Sequence, residues 1–201
     1  MAFLLNEQFN PSPDDEHSEI ARLKAVLESG EPSEKTEAAE RLAELRAEPA
    51  LTDCLASNND VTVHLATSSL WEIWLNERGP EARREMDRGI ELLNQGRLEA
   101  ALEAFSRLAE EYPDWAEPLN KQATVLYMLG SSLASLRLCR KVVELKPNHF
   151  GAWNGRALCA AQLEKWREAL TAARHAHRLQ PNAHGNLDLI RIAEEKLRED
   201  S

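Results

Sequence analysis

The most constraining feature of the sequence is a spacing. Pro113, Pro147 and Pro181 lie 34 residues apart, and each closes a segment of the same pattern. Self-similarity at a fixed period of this length indicates a repeat architecture, in which each copy packs against its neighbours and the stack presents one continuous surface. The spacing therefore predicts a solenoid, and a binding surface before any other kind of site.

The period extends to other positions, which indicates pairs of helices. Four columns of small and apolar residues stay in register: Gly89, Ala123 and Ala157; Leu92, Leu126 and Ala160; Ala101, Ser135 and Ala169; and Leu102, Leu136 and Leu170. Small residues allow two antiparallel helices to cross closely, and larger apolar residues fill the space between units. Each Pro is expected in the first turn of the next unit, where its fixed φ and missing N–H are tolerated.

At these positions the chain resembles the tetratricopeptide repeat (TPR) family. The matching residues are Gly89, Ala101, Phe105 and Pro113 in the first unit, Ala123, Gly130 and Pro147 in the second, and Trp153, Ala157, Ala169, Ala176 and Pro181 in the third. The resemblance implies an all-α fold, a right-handed helical solenoid of antiparallel helix pairs, with three repeats over residues 80–183. Residues 184–201 are expected to form a helix that caps the last repeat.

A different period precedes the TPR-like part. Residues 26–45 align with residues 54–73 at an offset of 28, and turn-forming residues fall at the same point in both copies. Residues 17–79 resemble a pair of HEAT-like repeats, with an irregular helical cap as the alternative. Residues 1–16, rich in Pro and acids, are expected to be a flexible acidic arm.

Two tryptophans, Trp71 and Trp74, stand near the junction of the two parts. Aromatic side chains bury large areas, and we expect these two to be core residues that seal the N-terminal helices onto the first TPR. A role in stacking on a ligand is the less favoured interpretation.

The TPR resemblance places ligands on the concave face, which is lined by the first helix of each unit. The candidate positions are Arg83 in the first unit, Asn120, Lys121, Thr124 and Tyr127 in the second, and Asn154, Leu158 and Gln162 in the third. Asn120 and Asn154 share one repeat position. Because an amide both donates and accepts, two amides at this spacing suit the backbone of an extended peptide.

Some TPR domains grip the C-terminal carboxylate of chaperones with a set of Lys, Asn and Arg side chains. Here Met86 and Ile90 stand where that clamp would begin, and Gly151 and Gly155 where it would close. A chaperone tail is therefore a disfavoured ligand. The two glycines are expected to leave a side-chain-free patch, open to a bulky partner residue or to the C-terminal helix of the chain itself.

Basic residues recur on the second helices, which in a TPR stack face the convex side. This convex basic ridge consists of Arg107, Arg140, Lys141 and Arg174. A ladder of positive charges suits phosphates, so RNA binding is an alternative function. A solvated ridge balanced by nearby glutamates is the favoured interpretation, because no exposed aromatic platform accompanies the charges.

The net charge of −10 lies entirely in the N-terminal part. Residues 1–80 hold 16 acidic and 6 basic residues, whereas residues 81–201 hold 18 of each. An acidic head repels nucleic acid and anionic membrane surfaces and suits a basic partner, although solubility alone would also account for it. Nucleic acid is the less favoured partner for this reason.

Motifs for catalysis and for metal binding are missing from the sequence. We find no glycine-rich phosphate loop, no nucleophile elbow and no His-Glu-x-x-His helix, so no enzyme and no cofactor are expected. The three cysteines, Cys54, Cys139 and Cys159, are odd in number and widely spaced, and His175 and His177 have no further ligand at zinc-site spacing. Buried thiols at Cys139 and Cys159, and no metal site, are expected.

These patterns together predict a protein-interaction adaptor or assembly scaffold, with another protein or a peptide in the concave groove and self-association left open. RNA binding on the convex ridge, and a bilin lyase-like activity of the HEAT-like repeats, are the alternatives. No apolar run is long enough to insert in a membrane, and the first residues are unlike a secretory signal. A cytoplasmic location is expected, with the plastid stroma after removal of a transit peptide as the alternative.

Overall fold

The computed structural model describes residues 13–199, and this part of the chain is all-helical. The helices are α1 (Pro13–Ser29), α2 (Pro32–Glu44), α3 (Glu48–Cys54), α4 (Asp60–Leu75), α5 (Gly79–Asn94), α6 (Leu98–Glu111), α7 (Ala116–Met128), α8 (Ser132–Leu145), α9 (Phe150–Gln162), α10 (Trp166–Leu179) and α11 (His184–Glu199). None of these helices is long and apolar enough to cross a membrane.

The repeat predicted from the sequence is confirmed as a stack of three helix pairs, α5 with α6, α7 with α8, and α9 with α10, with α11 packed on α10. Within each pair the turn uses one residue in the left-handed region, and these residues are again 34 apart: Gly96 (φ 72°), Gly130 (φ 75°) and Glu164 (φ 56°). Glycine adopts this conformation without a steric penalty, whereas a residue with a Cβ atom does not. The third turn therefore carries backbone strain that the first two lack.

The three prolines lie in the turns between units, not in the first turn of a helix as the sequence suggested. Each stands three residues before the next helix, and the residue before each Pro ends the preceding helix. Tyr112, Lys146 and Gln180 have φ between −126° and −136° and ψ between 74° and 87°. This departure from the helical region follows from the clash between a Pro ring and the backbone before it.

Small residues do lie where the helices cross. A Cβ atom on Gly89 would stand 2.5 Å from Phe105 Cε1, so α5 and α6 approach each other too closely there for any side chain. Ala101, Ser135 and Ala169, which share one repeat position, are all buried. The two columns of small residues, those of Gly89 and of Ala101, are thus close-packed seams of the stack.

The helices α1 to α4 form a compact N-terminal module with its own core, in which α1 packs on α2 and α3, and α4 packs on α2 and α3. Lys35 is buried there, and its ammonium donates to the carbonyls of Leu27 and Glu28 at the end of α1 and to Thr62 Oγ1. The structure does not identify these helices as HEAT repeats, and that assignment stays a prediction.

The first helix begins at Pro13, inside the range expected to be a flexible arm. Its first turn carries Asp14, Asp15 and Glu16. Acidic side chains stabilise a helix N-terminus through the helix dipole, and Pro suits the first helical position, which accounts for the earlier start. The rest of the predicted arm, residues 1–12, lies outside the described residues.

The N-terminal module contacts α5 only locally, where Leu75 packs against the core of the first repeat and Glu72 pairs with Arg83. Helix α4 lies against α7, and its aromatic side chains reach the start of α9. The expectation that Trp71 and Trp74 seal this module onto the first repeat was therefore incomplete. Both are packing residues, and their ring contacts are with the second and third repeats. The first repeat is reached through Trp115, which donates to the Trp74 carbonyl and belongs to the core of that repeat.

Candidate functional site

The first helices of the three pairs, α5, α7 and α9, lie side by side, with α11 continuing the row beyond α9. Their common face is the concave surface to which the sequence assigned ligand binding. One part of this face is covered by α4. The candidate site is the part of this concave face that α4 leaves uncovered.

Trp71 of α4 lies against the glycine patch at the start of α9. A Cβ atom on Gly151 would stand 3.0 Å from Trp71 Cη2, so the indole lies directly on the backbone. The Lys121 ammonium of α7 lies 4.8 Å from the centre of the same indole, within the range of a cation–π interaction. The N-terminal module therefore covers one side of Gly151 in the side-chain-free patch predicted at Gly151 and Gly155, whereas both glycines still line an open cavity.

Trp74 anchors the module behind Trp71. Its ring stacks on His149 at 4.5 Å between centroids, and its carbonyl accepts a hydrogen bond of 2.8 Å from Trp115 Nε1. Trp74, Trp115 and His149 are fully buried. Burial of a large aromatic side chain contributes about 2–3 kcal/mol, so the contacts of Trp74 with His149 and Trp115 help to hold the N-terminal module on the repeats.

An ion cluster closes the outer side of this junction. Lys146, at the end of α8, places its ammonium 3.2 Å from Glu48 Oε1 and 3.5 Å from Glu77 Oε1. The second oxygen of Glu48 accepts a 2.8 Å hydrogen bond from Trp74 Nε1. Three segments distant in sequence are therefore held at one point by partly buried charges.

A buried polar pair lies beneath the indoles. His149 Nδ1 accepts the backbone N–H of Ala152 and so caps the start of α9, which leaves the ring proton on Nε2 to be donated to Glu117 Oε1 at 2.6 Å. Burial alone would raise the pKa of Glu117. The opposing effects of His149, Lys121 and Asn120 outweigh burial and hold that pKa below its usual value.

The uncovered part of the concave face is a groove between α7 and α9 with a cavity of about 220 Å³. Its lining is uncharged: Asn120, Ala123, Thr124, Tyr127, Ser135, Cys139, Gly151, Asn154, Gly155, Leu158 and Cys159. Tyr127 and Leu158 are 38% and 48% exposed, respectively, on opposite walls. We call this feature the α7/α9 groove.

The two asparagines predicted as equivalent differ in the structure. Asn120 is buried, and its amide nitrogen donates to Glu117 Oε2 at a long 3.5 Å. Asn154 is only partly buried, and its side chain has no hydrogen-bond partner among residues 13–199. Within the groove, Asn154 is therefore the amide left free for a ligand, and Asn120 serves the packing of the junction.

The remaining concave candidates divide into two groups. Thr124 lines the groove with its hydroxyl donating to the Asn120 carbonyl at 3.1 Å. Arg83 lies outside the groove and is paired with Glu72 at 3.1 Å and Asp87 at 2.8 Å. Gln162 also lies outside the groove, and its side-chain oxygen accepts a 2.6 Å hydrogen bond from Ser132. The candidates that the structure brings together in the groove lining are Asn120, Thr124, Tyr127, Asn154 and Leu158.

The convex basic ridge is largely paired with glutamates. Arg140 and Arg156 share the Glu168 carboxylate, and Arg140 Nε lies 2.8 Å from it. Arg140 foremost, helped by Arg156, holds the pKa of Glu168 at about 2 against the raising effect of partial burial. Arg174 pairs with Glu194 at 2.6 Å and Arg107 with Glu103 at 3.3 Å. Lys141 is exposed.

A larger cleft of about 600 Å³ runs between α2 and α4 on the N-terminal module. Its lining includes the apolar residues Ala39, Ala43 and Ile73 and three glutamates, Glu40, Glu44 and Glu72. Two of the three carboxylates are already paired, Glu44 with Arg41 and Glu72 with Arg83. The negative charge of the module is therefore partly neutralised at the cleft.

The three cysteines are buried, which the sequence predicted for Cys139 and Cys159. Cys139 and Cys159 form part of the groove floor, where the Cys159 thiol donates to Ser135 Oγ at 3.2 Å and Ser135 in turn donates to the Ala123 carbonyl at 2.7 Å. Burial raises the pKa of Cys54 to about 11, so this thiol is protonated at neutral pH. No group of three metal-ligating side chains occurs within residues 13–199.

Sequence reasoning did not identify Glu117 and His149 as a buried pair, or Lys121 as the partner of an indole. The available signal was the repeat register. Glu117 and Gly151 share one repeat position, so the second unit has a large acidic side chain where the third unit has no side chain. A glycine at a position that elsewhere carries a side chain indicates close approach of another element.

No protein-family model and no curated protein sequence matches the chain. Solved structures do match its fold. The first TPR of Spaghetti (RPAP3), bound to an HSP90 peptide, is similar over 57% of this chain and 90% of its own, with a TM-score of 0.55 and 18% identity. The TPR2B domain of yeast Sti1, in a complex with Hsp70, is similar over 56% of this chain and 98% of its own, with a TM-score of 0.51 and 18% identity.

A longer match is the crystal structure of MamA, which is similar over 82% of this chain and 83% of its own, with a TM-score of 0.54 and 13% identity. Identities this low bear on the fold alone. The fold is that of TPR helical solenoid proteins, as the 34-residue period predicted.

Proposed function

We propose that this chain is a non-enzymatic protein-interaction adaptor that binds a short segment of a partner protein in the α7/α9 groove. The observation that carries the proposal is the combination of two half-exposed apolar walls, Tyr127 and Leu158, with the unpaired amide of Asn154. Apolar walls supply affinity, and an amide that both donates and accepts suits the backbone of an extended segment.

The fold supports this proposal. RPAP3 and Sti1, which share it, were solved in complexes with chaperone-derived ligands. The ligand of this chain would differ from a chaperone tail. Lys121 lies against Trp71, Met86 is buried, and the groove lining contains no Lys or Arg that would hold a terminal carboxylate.

Contacts in the structure weigh against the other candidate functions. Glu117 and His149, the nearest acid–base pair, are fully buried beneath Trp74, where no substrate in solvent reaches them. Arg140 and Arg174 on the convex side are engaged with glutamates, which lowers their value for phosphate binding.

Photo-cross-linking from the groove tests the proposal. A benzophenone amino acid replaces Tyr127 in one preparation and Arg107, on the convex side, in a matched control. We expect one partner protein to be cross-linked in stoichiometric amount from position 127 and not from position 107. Equal capture from both positions, or capture from position 107 alone, would contradict the adaptor role assigned to the groove. Recovery of RNA from position 107 would instead support the alternative function.

A further inference from the structure

The chemistry of the α7/α9 groove limits what its occupant can be. This inference rests on the proposed function and narrows it to a class of ligand. The cavity of about 220 Å³ is smaller than the roughly 300–1,000 Å³ of pockets that hold drug-sized molecules or cofactors. It has room for one large side chain and little more.

Charge complementarity favours an uncharged side chain. The residues that line the cavity carry no formal charge. Two cations lie close to the lining, and both are engaged: Lys121 is held between the Trp71 indole and Glu117, whose Oε2 lies 3.9 Å from it, and Arg156 pairs with Glu168 at 2.9 Å. An acidic residue entering the cavity would lose its hydration without gaining an ion pair, and a basic residue would find no free carboxylate.

One end of the groove is closed. Gly151 contributes to the cavity lining and also lies under Trp71, so the indole stands just beyond the cavity at this end. Trp71 packs edge to face with Trp74 at 5.3 Å and with Phe150 at 5.2 Å, and these contacts hold it in place. A partner segment therefore cannot run on over α7 and α9 toward their N-terminal ends.

From these three observations we infer that the α7/α9 groove receives a single large uncharged apolar side chain, of the Leu, Met or Phe kind, from the partner segment. Asn154 hydrogen-bonds the backbone next to this anchor, and Trp71 ends the site. The groove thus recognises one anchor residue in a neutral context and rejects an acidic one.

Small amide probes test the inference on the full chain. N-acetyl-L-leucinamide represents the apolar anchor and the α-amide of N-acetyl-L-glutamate the acidic one. Titrations are followed by shifts of backbone amide signals in NMR spectra of the isotope-labelled protein. We expect saturable shifts at Tyr127, Gly155 and Leu158 with the leucine probe, and binding at least tenfold weaker with the glutamate probe.

Two threonine variants provide the matched control. Thr124 lies in the groove and Thr171 on α10, and both are exposed helix residues whose hydroxyls donate to a carbonyl four residues back. Thr124→Trp should fill the groove mouth and abolish the leucine-probe shifts, whereas Thr171→Trp should retain them. Equal affinity for the two probes, no saturable shift with the leucine probe, or shifts that survive Thr124→Trp would each overturn the inference.

The two proposals fail separately. A partner cross-linked from position 127 whose bound segment places a charged residue in the cavity would overturn the anchor chemistry and leave the adaptor role standing. Binding of the leucine probe without any cross-linked partner would support the anchor site and count against the adaptor role.

Discussion

The indole of Trp71 lies on the backbone of Gly151, so close that a Cβ atom at position 151 would stand 3.0 Å from Cη2 and 3.3 Å from Cζ2 of the ring. This contact joins a helix of the N-terminal module to the first helix of the third repeat. It fixes where the concave surface is closed and where it is open. The glycine therefore has a role set by a residue 80 positions earlier in the sequence.

A methyl group at this contact is predicted to destabilise the fold. Gly151→Ala would force Trp71 against Trp74 and Phe150, and overpacking of this kind costs about 1–3 kcal/mol, more than the 0.5–1 kcal/mol that Ala gains over Gly in a helix. We expect a net loss of about 1–2 kcal/mol in the free energy of unfolding, measured by urea denaturation.

The control for this prediction lies one repeat later. Gly185 occupies the same repeat position in α11, and a Cβ atom there would have no neighbour within 4 Å. Gly185→Ala should be neutral or slightly stabilising. If the two substitutions have equal effects, the contact with Trp71 does not constrain position 151.

The two asparagines of the concave face are predicted to separate stability from binding. Asn154→Ala should change the free energy of unfolding by less than about 0.5 kcal/mol, because its amide has no partner within residues 13–199, yet weaken binding of the cross-linked partner several-fold. Asn120→Ala should cost about 1 kcal/mol in stability, because it removes a donor from the buried Glu117. Denaturation and titration on both variants check this, and a stability loss confined to Asn154→Ala would refute it.

Relieving the backbone strain at Glu164 is predicted to stabilise the fold. Glu164 holds φ at 56°, in the place where the other two repeats use Gly96 and Gly130. Glu164→Gly should raise the free energy of unfolding by about 0.5–1 kcal/mol, and Gly130→Ala should lower it by about 1 kcal/mol. Thermal or urea denaturation measures both. A destabilised Glu164→Gly variant would mean that the Glu164 side chain contributes more than the strain costs.

The pairing of Glu168 with two arginines predicts a dependence on pH. Its pKa, at about 2, lies below the usual value near 4.3, so its stabilising effect is complete above the usual value and is lost as the pH falls toward 2. Glu168→Gln should cost about 1–2 kcal/mol at pH 7, with the difference from the wild type vanishing toward pH 2. Glu103→Gln, at an exposed pair with Arg107, should cost less than about 0.5 kcal/mol throughout. A difference independent of pH would contradict this assignment.

The sequence predicts the repeat well because the period reports local packing. Small residues recur at Gly89 and in the column of Ala101 because paired helices cross closely at these positions, and the recurrence is visible in the sequence. The docking of α4 was not predictable in the same way. It joins two segments with different periods, and Trp71 and Gly151 are brought together by tertiary packing that no local pattern encodes.

The concave site was also only partly predictable from the sequence. Repeat register predicted that Tyr127, Asn154 and Leu158 share one face, since equivalent positions on stacked helices point the same way, and these three residues line the α7/α9 groove. Register could not distinguish Asn120 from Asn154, because it gives the direction of a side chain and not what covers it. For the convex basic ridge, the sequence likewise predicted that glutamates would balance the charges but did not predict which glutamate pairs with which arginine.

The most direct test of the account is the affinity of the partner captured from position 127 for a matched pair of variants. Leu158 and Leu133 are exposed to similar degrees, 48% and 44%, but only Leu158 lines the α7/α9 groove. By isothermal titration calorimetry, Leu158→Asp should weaken binding at least tenfold, and Leu133→Asp should leave the dissociation constant within twofold of the wild type. Equal affinities for the two variants would show that the partner binds elsewhere.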